Sequence, residues 1–420
     1  MNDHEVSEAH LAAFLHAGVP SLVRAIALLA AAILLAVGLA GVSPAPAQPT
    51  DVRTLTIRAA PDGSYRAQPN WEANLRTNVA AVSVLYEKTF RIRFVLLDIV
   101  PWAAAPRGDR ARQTIKLMAD VPPGRADLVV AFSGRCEGNK AGWTVLFDRY
   151  AVVTSGCGTP TTNQATAILS HELAHLFGAF HPDSNVESVM RGGPADKFDD
   201  QTTRILRLTR DFDFSRGVTS LTPETRRAWS AIYAEGHAKG EPNPLASAFA
   251  HAGWTLLRAA KPQEAVAALD EAIRLDANVA PSHATLGRVY ASTGRLEDAV
   301  RELRTAKALD SRLMEARIDL GFMLLQLKRD ADALSEFQDA LQMDLRLGRA
   351  YVGQGVTLVR RGKLDEAITA LTEAIRLDPT DLWALNERAS ALRMKGAYVE
   401  AIEDLGRMIQ LRPKDAGAWK

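Results

Sequence analysis

The chain has 420 residues, a net charge of +1 and two cysteines. That length supports two or three domains, each with a sizeable core. The balanced charge provides no global field for nucleic acid, so no nucleic-acid partner is expected.

Arg24 precedes an uncharged run from Ala25 to Val42, followed by Ser43-Pro44-Ala45-Pro46-Ala47-Gln48. Ala45-x-Ala47 has the small-residue form of a signal-peptide cleavage site, with a mature start at Gln48. The same run is nearly long enough to span a bilayer. Residues 1–47 therefore read as a signal peptide or as an anchor, through residues 22–42, in the inner membrane. Either reading exports the remaining chain to the periplasm or beyond. In such an oxidising compartment Cys136 and Cys157 are expected to form a disulfide.

Val52 to Ile57 alternates apolar and polar residues, as a half-buried strand does. Asn70 is placed to cap a helix from about Trp71 to Lys88. Arg91–Ile99, Ala126–Phe132, Trp143–Phe147 and Tyr150–Thr154 read as strands. A helix over about 162–177 follows, with Ala165, Ile168, Leu169, Leu173 and Leu176 as its apolar residues.

That helix carries His171-Glu172-Leu173-Ala174-His175-Leu176-Phe177-Gly178-Ala179-Phe180-His181, the pattern H-E-x-x-H-x-x-G-x-x-H. His171 and His175 lie four apart and face one way on a helix. Gly178 takes positive φ cheaply, so the chain can turn there and bring His181 back. Three histidines leave a fourth zinc position for water, the arrangement of a catalytic site. Glu172 is placed to act as the base, and one Zn²⁺ is the expected cofactor.

The segment resembles the metzincin clan of zinc metallopeptidases, closest to its matrixin-like members. The resemblance implies a methionine turn beneath the metal, and Met190 in Ser188-Val189-Met190 fits it. It also implies an α+β domain with a twisted mixed sheet, over residues 48–238, and an edge strand that pairs with extended substrate. Tyr150–Thr154 is the candidate for that strand. Pro182 follows the third histidine, where several families of the clan carry Ser, Asp or Glu. No tyrosine closely follows Met190, so the extra tyrosine ligand of some families is not expected.

Thr222-Pro223-Glu224 starts a further helix, reaching about Ala238, with Trp229, Ile232 and Tyr233 on its apolar side. Lys239 to Pro244 breaks the chain, and residues 239–245 read as a linker. Beyond it Gly253, Gly287, Gly321, Gly355 and Ala389 recur every 34 residues, as do Ala265, Ala299, Ala333, Ala367 and Ala401. Leu269, Leu303, Phe337, Leu371 and Leu405 keep the same period. This is the tetratricopeptide pattern, two antiparallel helices per unit, and it predicts an all-α solenoid over 246–415 in units 246–279, 280–313, 314–347, 348–381 and 382–415. Its concave groove is expected to hold a protein partner.

Together these readings predict an exported zinc endopeptidase acting on protein or peptide, with repeats that recruit a protein. The alternative is a non-enzymatic scaffold that carries a vestigial zinc-binding domain. The break at 239–244 predicts that the two halves are self-sufficient.

Overall fold

The computed structural model describes residues 51–103, 110–135, 142–144, 146–154, 162–181, 188, 190, 197–235 and 243–412. The N-terminal segment 1–47, with its signal-peptide or anchor reading, lies outside the described residues, as do Cys136 and Cys157.

Five strands form one sheet: β1 (Arg53–Pro61), β2 (Ile92–Ile99), β3 (Leu128–Ser133), β4 (Gly142–Thr144) and β5 (Tyr150–Thr154). Their order is β2-β1-β3-β5-β4. All neighbours are parallel except β4, which runs antiparallel to β5 with Trp143 opposite Val152. Every residue of β3 and β5 is buried, because both faces of the sheet are covered. Leu128, Val130, Phe132, Ala151 and Val153 join one core; Val129, Ala131, Tyr150 and Val152 join another. The sheet's period of two divides each strand between these cores.

Among the described residues, the helices that precede the metal motif or carry it are α1 (Gly63–Arg66), α2 (Trp71–Phe90), α3 (Arg110–Asp120) and α4 (Thr162–Leu176). Leu75, Val79, Val82 and Tyr86 of α2 share the first core with Leu169, Leu173 and Leu176 of α4. The Tyr86 hydroxyl donates to Ser170 O at 2.7 Å and ties the two helices together. Leu117 of α3, with Val121, covers the other face.

Three expectations are corrected. Tyr150–Thr154 is an interior strand between β3 and β4, and β4 is the edge. The apolar run Tyr150–Val153, with Thr154 also buried, marks burial on both sides, which an edge strand beside a cleft does not need. The strand expected over Trp143–Phe147 ends at Thr144, and Phe147 sits in a left-handed turn at φ 58°. Asn70 adopts a left-handed conformation and makes no side-chain cap; Asn74 N–H simply donates to Asn70 O at 3.0 Å.

After the motif come α5 (Asp200–Leu208), a 3₁₀ turn (Gly217–Ser220) and α6 (Pro223–Ala234). Thr222 caps α6 as expected, accepting from Thr225 N–H. The solenoid then runs through α7 (Pro244–Arg258), α8 (Pro262–Leu275), α9 (Ala280–Ser292), α10 (Leu296–Leu309), α11 (Met314–Gln326), α12 (Asp330–Met343), α13 (Gly348–Arg360), α14 (Leu364–Leu377), α15 (Leu382–Lys395) and α16 (Tyr398–Leu411). The periodic glycines are explained by close approach. A Cβ on Gly253, Gly287, Gly321 or Gly355 would stand 2.4, 2.7, 2.6 or 2.5 Å from the large residue sixteen positions later.

The expected independence of the halves does not hold in the packing. Helix α7 begins at Pro244, capped by Asn243, and Leu245 is already fully buried. Leu245, Ala248, Phe249, Ala268 and Ala272 belong to the same core as Phe147, Phe212, Phe214 and Trp229. The first repeat therefore completes the sheet domain's core.

Candidate metal centre

Helix α4 ends in a Schellman motif. Ala179 N–H donates to Ala174 O at 3.1 Å, and Gly178 N–H donates to His175 O at 2.8 Å, with Gly178 at φ 88°. The three carbonyls of the turn are then taken in succession. Phe177 O accepts from the Thr209 hydroxyl at 2.7 Å, Gly178 O from Trp229 Nε1–H at 2.9 Å, and Ala179 O from His175 Nδ1–H at 2.7 Å. Side chains from α4, from α6 and from just after α5 thus fix the path that leads to His181.

The last of these bonds also fixes a tautomer. A carbonyl only accepts, so His175 Nδ1 carries the proton and Nε2 keeps its lone pair. Burial, with the neighbouring His171 and His181 rings adding to it, pushes the His175 imidazole down to about 3, so it stays neutral. Neutral imidazole is the form that binds a metal.

The three rings converge. His171 Nε2 lies 3.0 Å from His175 Nε2 and 3.2 Å from His181 Nε2, and the three offer ligand atoms within 4.8 Å of one another. Tetrahedral zinc with Zn–N bonds of about 2.0–2.1 Å holds its nitrogens roughly 3.3 Å apart, so the donor set fits that ion. Glu172, next to His171 on the helix, is buried at 4 % exposure. Met190 is buried in the core shared with Leu173, Ala174 and Phe177. Its N–H donates to Ser188 Oγ at 3.2 Å, and Ser188 donates in turn to Asp199 Oδ2 at 2.6 Å. Most of the expected methionine turn around it lies outside the described residues.

Thr209, Trp229, Phe147 and Asp199 were not singled out as site residues from sequence. They act from 11 to 51 positions away from the groups they hold, and no local spacing marks them.

Residues 51–204 match the metallopeptidase family M12, and residues 252–313, 285–351 and 352–416 match the tetratricopeptide repeat. The chain thus joins a domain similar to the M12 metallopeptidases to a tetratricopeptide array. No curated protein matches it. Among solved structures, residues 41 to the end of MamA from Desulfovibrio magneticus RS-1 are 22 % identical, covering 42 % of this chain and 98 % of that one, at a TM-score of 0.38. Pseudomonas aeruginosa pilF is 24 % identical, covering 39 % and 75 %, at 0.38. YrrB, described as a TPR protein with an unusual peptide-binding site, is 23 % identical, covering 44 % and 91 %, at 0.36.

Within the array, Phe322, Met323, Trp383, Arg288, Asp319 and Arg349 line a cavity of about 450 Å³. The Phe322 and Trp383 rings lie 5.1 Å apart, and Arg349 bridges Glu315 at 2.7 Å and Asp319 at 2.9 Å. Among the described residues, no helix is long and apolar enough to cross a membrane.

Proposed function

We propose that the protein is an exported zinc endopeptidase whose repeats recruit a protein substrate or partner. The observation that carries this reading is the convergence of three imidazole Nε2 edges beside the buried Glu172. A zinc ion bound there supplies Lewis acidity, making water a nucleophile near neutral pH and polarising the scissile carbonyl. Glu172 takes the proton from the attacking water and passes it to the leaving amine. His171, His175 and His181 would hold the ion, and Met190 would contribute an apolar floor without ligating it. An extended substrate adds to the outer edge of β4, whose other edge pairs with β5. The tetratricopeptide array raises the local concentration of whatever it binds. Export rests on the uncharged run 25–42 and the Ala45-x-Ala47 site.

The intact base argues against the scaffold alternative, since a zinc fold kept for structure alone has no use for Glu172. The test is metal analysis of the purified chain together with cleavage profiles of wild type and Glu172→Ala. One zinc per chain in both, with cleavage lost by roughly 10²–10⁴-fold in the variant, is expected. Equal cleavage profiles would remove the catalytic reading.

A further inference from the structure

We propose that the first tetratricopeptide unit, α7 with α8, positions the third histidine of the metal centre. The inference rests on the zinc reading above and adds to it a role for residues outside the peptidase domain.

Two chains of contact lead from this unit to the Gly178 turn. The first runs through residues 147 and 148. His251 of α7 places Nε2 3.2 Å from Asp148 Oδ2. The neighbouring Phe147 presses its ring on Gly178 so closely that a Cβ there would stand 2.1 Å from Phe147 Cζ. The second runs through α6. Arg226 pairs with Glu271 of α8 at 3.0 Å and lies over the Phe249 ring of α7 at 5.5 Å. Three residues along, on the neighbouring part of the helix surface, Trp229 donates to Gly178 O. Phe147 and Trp229 also touch each other, with ring centroids 6.3 Å apart, inside the core that Leu245, Ala248 and Phe249 complete.

Both groups that pin Gly178 are thus backed by the first repeat. Gly178 sets the direction in which the chain leaves α4, and His181 follows three residues later. His181 is the exposed member of the three histidines. Its ring direction depends on the turn more than does that of His171 or His175, which a helix already holds. A loosened α7 would let the turn drift, and the third ligand would move before the other two. Positions that orient a ligand through its neighbours change metal affinity without touching the metal.

The test uses the full chain, with zinc affinity read by competition against a chromophoric chelator and folding by circular dichroism. Phe249→Ala is expected to weaken zinc binding by roughly tenfold or more, in the range seen when a ligand's supporting groups are removed. Phe249→Leu restores most of the loss. Phe337→Ala makes a comparable cavity deep in the array, where the ring is fully buried, and leaves zinc affinity unchanged. Wild-type affinity in folded Phe249→Ala overturns the proposal, as does an equal loss in Phe337→Ala. Should Phe249→Ala fail to fold, His251→Ala asks the same question of a polar contact, and unchanged affinity there overturns it. A wild-type chain that takes up no zinc refutes the metal reading itself, a result distinct from wild-type uptake that Phe249→Ala leaves unaltered.

Discussion

Replacing Gly178 with alanine puts the whole construction of the metal centre under load. At φ 88° the residue sits where an L side chain costs about 1–2 kcal/mol. The new Cβ would meet three carbons of the Phe147 ring at 2.1, 2.6 and 2.7 Å. That ring has no room to retreat, since it is buried against Phe212 at 5.1 Å and Trp229 at 6.3 Å. Overpacking of this kind costs about 1–3 kcal/mol. The sum, about 2–5 kcal/mol, is a large part of the 5–15 kcal/mol that holds a typical domain together. The chain can relieve the clash by shifting the turn, which breaks the Schellman bonds and displaces His181. Hydrogen exchange at residues 178 and 179 in the metal-free protein reports the first effect, and chelator competition reports the second. Faster exchange at both amides and zinc binding weakened at least about tenfold are expected. Adding Phe147→Ala removes the atoms that clash, so the double variant should be less destabilised than the two single costs added together. Unchanged exchange at both amides in Gly178→Ala would refute the reasoning, because neither the strain nor the clash would then be present.

His181→Ala should reduce zinc content from one per chain to nearly none after dialysis, measured by elemental analysis; full occupancy would remove His181 from the ligand set. Glu271 is held below the usual carboxylate range by Arg274 beside it, with Arg226 across the interface helping. A depressed folded value stabilises the protein above the unfolded value near 4.3 and loses that stabilisation as pH falls through the folded one. Glu271→Gln should therefore cost up to about 1 kcal/mol at pH 7 and progressively less as pH falls through the folded value, by denaturant titration. A difference that grows with acidification contradicts the sign. Gly321→Ala drives a methyl to 2.6 Å from the Phe337 ring and should loosen the central repeats, seen as faster exchange in α11 and α12, while zinc affinity holds.

The three converging histidines were legible because they come from one continuous segment. Helical spacing joins His171 to His175, and one glycine brings back His181, so eleven residues contain the donor set. The solenoid was legible for a related reason: each unit packs on its neighbour in the same way, and Gly253, Gly287, Gly321 and Gly355 meet the same demand at one period. The supports of the turn were not legible. Trp229 reads as an ordinary apolar residue of α6, and only the fold places its indole on Gly178 O, 51 positions back. Helix α3 was not legible because it buries little: among its described side chains Leu117 is fully buried, while Ile115 and Met118 are only partly so. The edge strand was misplaced because the true edge, β4, is three residues long, too short for alternation to show.

The same distance between cause and effect bears on where the peptidase domain ends. The Pro/Gly break at 239–244 marks a boundary in sequence, and the M12 match stops at residue 204, before both Thr209 and Trp229. Removing everything after residue 240 uncovers the apolar surface that Leu245 and Phe249 bury, together with the smaller contributions of Ala248, Ala268 and Ala272. A fully buried leucine or phenylalanine is worth about 1.5–3 kcal/mol, so the fragment forfeits on the order of 5 kcal/mol, comparable to the whole stability of a modest domain. It also loses the Arg226–Glu271 and His251–Asp148 contacts. A fragment of residues 48–240 is therefore expected to be poorly soluble or to bind zinc weakly. Residues 48–278, which keep α7 and α8, should fold and bind zinc about as well as the full chain. Expression of both fragments, with zinc titration of each, decides the matter. Equal zinc affinity in the two would mean that the break is a true domain boundary and that the shared core contributes contact without support.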